Sequence, residues 1–285
     1  DCTPDVVREY RKRCPAIQYV RNEVNLGADR NFDLAVRRSR GEFVWLFGDD
    51  DALASGAVRS VKRVIEEHKT VAAIFVNYAV YSGDFKDRIS DREVALKEDV
   101  LCQDGDKFLG TVGIGPIFVS SNVVRRCLWE KTDCGPFIGS NWVHYATLLS
   151  LARKEFCYCI AYPYVRLRNV ARWAQGGRLY LNTVSLAEII HGLHRAGCDK
   201  AVVAKTLKAI SGRVDRTIRW ARNEGLTVDR NLLKRSIAAF RSSPRFWMAG
   251  LPLLLVPLPL YAGYKRMEKV VKARLAGKSL RDAIQ

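Results

Sequence analysis

Three adjacent carboxylates, Asp49, Asp50 and Asp51, follow Gly48 at the end of the unbroken apolar run Phe43-Val44-Trp45-Leu46-Phe47. Carboxylates this close repel one another unless a cation neutralises them. A hard divalent ion clamped on phosphates, Mg2+ or Mn2+, is the natural counter-ion, and it would stabilise charge developing on a departing diphosphate. Taken alone, the same triplet is a solvated acidic turn. Its place strengthens the chemical reading, because an apolar run of strand length suits a strand buried on both faces. Ligands of open α/β sheets bind at the carboxyl ends of such strands.

The elements that must position the triplet read as an α/β alternation. Thr3-Pro4-Asp5 opens a helix that Cys14-Pro15 ends near Arg13. A short strand is expected over 17–20, and Asp29 caps a helix over 30–38 that Gly41 stops. After the acidic turn come a helix over 56–68 and a buried strand over 73–76. This rhythm predicts a mostly parallel sheet flanked by helices. Residues 82–107 are polar and read as a surface excursion. A strand over 117–120, a helix over 123–131, a turn-rich loop over 135–139, a helix over 142–153 and a strand over 156–160 follow. Beyond that point the pattern is helical, with amphipathic stretches over 184–195 and 200–223.

Charge divides the chain. The 285 residues carry a formal net charge of +17, and residues 200–285 hold 19 basic against 5 acidic side chains. A globular domain over 1–175 followed by a basic helical region over 176–285 accounts for this. Composition at 48% hydrophobic excludes disorder and a collagen-like fibre. Eight cysteines without a CxxC pair exclude a disulfide scaffold, and reduced, mostly buried thiols are expected. Residues 246–264 contain no charge, but Pro252, Pro257 and Pro259 argue against a straight membrane-crossing helix. We expect a re-entrant or interface-lying hairpin over 246–264, followed by a basic amphipathic stretch over 265–274, in contact with an anionic membrane surface.

Four segments in order resemble family 2 glycosyltransferases of the GT-A fold, in their abequosyltransferase-like branch. They are Asn25-Leu26-Gly27-Ala28-Asp29-Arg30-Asn31, Gly41-Glu42-Phe43, Trp45-Leu46-Phe47-Gly48-Asp49-Asp50-Asp51, and Phe137-Ile138-Gly139-Ser140-Asn141-Trp142-Val143-His144-Tyr145. The resemblance covers about residues 1 to 175. It implies a GT-A-like α/β domain that binds a nucleotide-diphosphate sugar and transfers the sugar with inversion, assisted by Mg2+ or Mn2+. Asp1 looks like the tail of the family's turn after its second strand, so earlier strands are expected upstream. Gly27 and Arg30 match the loop that faces the nucleotide, and a guanidinium suits a diphosphate. Gly48 stands where many members carry the first Asp of a D-x-D turn. Asp50 matches the direct metal ligand, with Asp49 beside it and Asp51 on the acceptor side. His144 stands where inverting members place the carboxylate that deprotonates the acceptor, and neutral imidazole is a competent base near neutrality. Arg168, after the last strand, matches the loop that closes on the donor diphosphate; Trp173 is a weaker candidate for the same cleft.

These readings converge on transfer to a polyprenyl-linked saccharide in cell-surface, O-antigen-like polysaccharide synthesis. The place would be the cytoplasmic side of the plasma membrane, peripheral or re-entrant, with no nucleic acid as partner. Two other classes use some of the same features. A nucleic-acid-binding module would use the positive charge, although no nucleic-acid motif appears. A nucleotidyltransferase would use carboxylates with Mg2+ and would release pyrophosphate rather than a nucleoside diphosphate.

Overall fold

The computed structural model describes residues 2–169 and 178–275. Helices α1 (Thr3–Arg13) and α2 (Gly27–Arg38) precede β1 (Phe43–Trp45) and the two-residue β2 (Ala52–Leu53). Helix α3 (Ala57–Glu67) leads to β3 (Ala73–Tyr81), β4 (Val100–Cys102) and α4 (Gly105–Val112). Then come β5 (Asn122–Arg125), α5 (Arg126–Glu130), α6 (Val143–Ala152) and β6 (Cys157–Arg168).

The strand order is β1-β5-β3-β6-β2, with β4 also paired to β6. β3 and β6 run parallel along the longest register. β5 is antiparallel to β1 and β3, and β2 and β4 are antiparallel to β6. The mostly parallel sheet expected from the sequence is thus corrected to a mixed one. A parallel pair needs a long crossover, and the chain from β3 to β6 provides it through α4, α5 and α6. β2 instead follows the acidic turn directly, and β5 enters from two short 3-10 turns, Gly115–Ile117 and Val119–Ser121. The strand expected over 117–120 is those turns, and the pairing begins at Asn122. Residues 17–20 form no strand, and α1 buries none of its residues.

β3 lies at the centre because Ala73, Ile74, Phe75 and Val76 are apolar on both faces and fully buried. Its register with β6 shifts between Val76 and Tyr78. At the shift sits Asn77, wholly buried. Its amide nitrogen donates to the carbonyls of Val94 and Ala161 at 2.7 and 3.0 Å. Its amide oxygen accepts from the backbone N–H groups of Tyr78 and Val94 at 3.0 and 3.2 Å. Those bonds secure the surface excursion to the sheet.

The helical remainder comprises α7 (Arg178–Arg195), α8 (Lys200–Ser211), α9 (Val214–Asn223) and α10 (Arg230–Phe240). The amphipathic stretch expected over 200–223 is therefore two helices, parted around Gly212 and Arg213. A π-helical segment, Phe246–Gly250, continues into α11 (Leu251–Leu255), and α12 (Leu258–Leu275) follows the break. One cluster of buried side chains extends from Val36 and β3 through Tyr180 and Ile190 to Phe246 and Leu254, so the helices share the core of the sheet. Among the described residues no single helix is long and apolar enough to cross a membrane. Phe246–Leu255 and Leu258–Glu268 reach that hydropathy only as a pair bent by 108°.

Replacing Asn77 with Ala would leave two buried and two half-buried backbone groups without this partner. We expect a loss of roughly 2–4 kcal/mol, read as a lower urea midpoint at unchanged m-value.

Candidate active site

The acidic turn connects β1 to β2, and β2 pairs with the end of β6 at Val165 and Arg166. That pairing brings Asp51 beside Arg168. The Asp51 carboxylate is half-buried; it accepts from the Ser120 hydroxyl at 2.6 Å and from the Arg168 backbone N–H at 3.2 Å. The same hydroxyl oxygen accepts from the Gly48 N–H at 2.8 Å. The Ser120 carbonyl accepts from the Trp45 indole N–H, also at 2.8 Å. Burial lifts the Asp51 carboxyl above its ordinary pKa, against the lowering effect of its two donors, and the neighbouring Asp50 and Asp49 charges lift it further. Asp49 and Asp50 are exposed and have no ion pair among the described residues.

The bare backbone of Gly48 leaves room for the carboxylates of the turn. A Cβ there would lie 3.0 Å from Asp51 Oδ2, 3.1 Å from Asp50 Oδ1 and 3.4 Å from Ser120 Oγ. The carboxylates of Asp50 and Asp51 fold back over this bare backbone.

His144 lies in the first turn of α6 and is 3% exposed. Its Nε2 sits 2.8 Å from the Ile117 carbonyl, so that nitrogen carries the proton and Nδ1 is left bare, with no partner. Phe32 and Trp142 flank the ring at centroid distances of 5.4 and 6.1 Å. Burial depresses the imidazole pKa to about 4. The ring is therefore neutral and enclosed, rather than presented to solvent as an acceptor-side base would be. It still belongs to the site's framework. Ile117, which holds His144, and Ser120, which holds Asp51, are three residues apart, a span of at most roughly 11 Å of chain.

Asp29 is a functional scaffold residue that the sequence pattern assigned to the wrong helix. α2 begins at Gly27, so Asp29 is inside the first turn rather than capping it. Its buried carboxylate crosses to the start of α6. There it accepts from the N–H groups of Gly139 and Asn141, both at 2.8 Å, and of Val143 at 3.0 Å. An acidic group at a helix N-terminus satisfies donors that have no partner within the helix. Asn141 adopts the left-handed conformation, with φ 66°, and its side chain donates to Asn182 of α7 at 2.7 Å. Ser120 was also missed. Its signal was the polar Ser120-Ser121-Asn122 inside an otherwise apolar stretch.

The remaining expected residues are dispersed. Gly27, with φ 75°, lines a cavity of about 570 Å3 bounded by residues 19–28 and Asn31. Arg30 is exposed and lines a separate cavity of about 470 Å3 with Asp33, Arg37 and Cys134. Neither makes a hydrogen bond or ion pair with the acidic turn among the described residues. The Arg168 guanidinium donates to the Gly83 carbonyl and lies over the Phe85 ring at 5.7 Å. Asp1 and Trp173 lie outside the described residues.

Among the described residues no three His, Cys, Asp or Glu side chains form a metal-binding group. The donor set nevertheless fits a hard cation. Mg2+ is held by one or two carboxylates completed by substrate phosphates, and Asp49 and Asp50 are two exposed carboxylates without a protein cation.

A mixed sheet with an acidic turn at a strand end, flanked by helices, is the architecture of a GT-A glycosyltransferase domain. Residues 1–128 match the family model described as glycosyl transferase family 2. The chain is 28% identical over 172 residues to the abequosyltransferase RfbV of Salmonella typhimurium, an alignment covering 54% of this chain and 49% of that protein. The match thus spans about half the length of that relative. The crystal structure of S. aureus TarS 1–349 aligns with 98% of this chain and 80% of its own, at a TM-score of 0.53 and 15% identity. That likeness shows the fold alone.

The enclosed His144 makes stability depend on pH. Its pKa is 6.5 when unfolded and about 4 when folded, so the unfolded chain takes up a proton that the folded one refuses. This contribution is complete above pH 6.5 and is lost as the pH falls towards 4, by about 3 kcal/mol in all. Denaturation across that range should show a slope that His144→Asn flattens; identical slopes would refute the assignment.

Proposed function

We propose that the chain transfers a sugar from a nucleotide-diphosphate donor to an acceptor hydroxyl, with inversion at the anomeric carbon. The observation that supports this most is the acidic turn folded over Gly48. It offers two unpaired carboxylates and a third held by neutral donors at the end of a sheet strand. Asp49 and Asp50 are the residues assigned to hold Mg2+ or Mn2+ together with the donor phosphates. Bound there, the ion would supply positive charge where the diphosphate departs.

The chain's own groups carry the rest. Asp51 accepts the proton of the acceptor hydroxyl. That oxygen bonds to the anomeric carbon on the face opposite the leaving group. The bond from this carbon to the phosphate oxygen breaks, and its electron pair leaves with the nucleoside diphosphate. Asp51 suits the base role better than His144, because it is half-exposed and its pKa is raised, nearer to where a general base works. A carboxylate offers about four lone-pair sites, and Ser120 and Arg168 take one each. His144 becomes a positioning residue that fixes the Ile117–Ser120 segment. Gly27, Arg30 and Arg168 are assigned to the donor.

Similarity to an abequosyltransferase supports a deoxyhexose donor and a place in O-antigen-like polysaccharide synthesis. The positive charge of residues 200–285 supports a polyprenyl-linked saccharide acceptor, met at the anionic cytoplasmic face of the plasma membrane.

Incubation with a panel of nucleotide sugars and Mn2+ or Mg2+ should release nucleoside diphosphate. Release of pyrophosphate would instead mean nucleotidyl transfer. Chelation of the metal and Asp50→Ala should each abolish release while leaving the thermal unfolding cooperative. Ser120→Ala removes a donor that holds the Asp51 pKa down. We expect kcat to fall about tenfold and the acid limb of the pH–rate profile to move to higher pH. An unmoved limb would reject Asp51 as the base.

A further inference from the structure

We infer that the bent helix pair over 246–268 is an interfacial anchor, laying its outward apolar side chains on an anionic lipid bilayer. This deepens the function proposed above, and rests on it only in naming the surface where the acceptor is met.

The two sides of α12 differ at the same spacing. Tyr261 turns inward, its hydroxyl meeting the Arg219 carbonyl at 3.3 Å and Asn223 Oδ1 at 3.1 Å, while Lys265 and Glu268 are half-buried and pair with each other. One position earlier in each turn, Leu260, Tyr264 and Met267 are 67, 57 and 70% exposed. Across the break, Met248 is 76% exposed and Leu255 59%, with Trp247 also outward. A helical stripe of large apolar and aromatic side chains left in water is the pattern that settles into the boundary of headgroups and acyl chains.

The bend is held from inside. Arg222 of α9 is 3% exposed and has no carboxylate partner among the described residues. Its guanidinium donates to the Leu226 carbonyl at 2.9 Å and to the Val256 carbonyl at the break, and lies over the Tyr261 ring at 5.3 Å. A buried cation whose two terminal nitrogens donate to carbonyls at that corner, with Nε left unpartnered, ties α11 and α12 to α9. The fixed corner keeps the apolar side chains outward instead of letting the segments straighten and cross.

Charge selects the occupant. Arg216, Arg219, Arg241 and Arg266 are exposed around the pair and have no carboxylate partner among the described residues. A second copy of the chain would set this positive field against itself. A nucleic acid would answer the charge and leave the methionines and leucines in water. An anionic bilayer answers both.

The test is flotation of the full chain with vesicles of phosphatidylcholine and phosphatidylglycerol, against phosphatidylcholine alone. The wild type should bind the mixed vesicles and not the neutral ones. The combined variant Met248→Glu/Leu260→Glu/Met267→Glu changes exposed positions, so its melting curve should match the wild type. Its vesicle affinity should fall at least about tenfold. Equal binding by the variant, no binding by the wild type, or a wild-type dimer that the variant loses would overturn the inference. Vesicle binding needs neither donor nor metal, so a failed donor screen leaves it standing. Nucleoside diphosphate release by the variant with a water-soluble acceptor should stay at the wild-type level.

Discussion

Carboxylates packed side by side beyond the half-buried strand β1 repel one another, and among the described residues that repulsion is met with hydrogen-bond donors and no positive side chain. Ser120 and the Arg168 backbone satisfy Asp51, while Asp49 and Asp50 stay exposed and uncompensated. A lysine or arginine paired to them would have quenched the field. Neutral donors fix the geometry and leave the negative potential in place. The bare backbone of Gly48 is the steric condition for this, since a side chain there would occupy the space of the folded-back carboxylates.

The scaffold around the turn is arranged by a few buried polar groups. The two 3-10 turns between Gly115 and Ser121 offer a carbonyl to His144 and a hydroxyl to Asp51. Asp29 fastens the start of α6 to α2 by accepting three backbone N–H groups, which sets the position of His144 one residue further on. Such groups are costly to bury without partners. Their complete pairing makes the local geometry single-valued. His144 Nδ1 is the exception, as its lone pair has no partner and its ring stays neutral because burial opposes charging.

The helical remainder carries the charge asymmetry and also belongs to the core. Asn182 of α7 meets Asn141 next to α6, and Tyr180, Phe246 and Leu254 lie in the same apolar cluster as β3. An outward apolar stripe and the acidic turn are thus parts of one packed body.

Local pattern was enough to read the acidic triplet at a strand end, the helix over 57–67, the buried run that became β3 and the concentration of basic residues beyond position 200. Each is a short-range property: hydrophobic periodicity, a Gly or Pro stop, or a charge count. The family likeness of the segments at 25–31 and 41–51 was also legible, because those motifs are contiguous in the chain. Strand direction was not, since a parallel or antiparallel neighbour depends on which edge a distant segment reaches. The same holds for Ser120 under Asp51, Asp29 beneath α6 and the enclosure of His144, whose partners are 27 to 114 residues away. Residue types told which groups were able to bind a cation or move a proton. Tertiary packing alone decided which were exposed, which were already bonded and which were shut away from water.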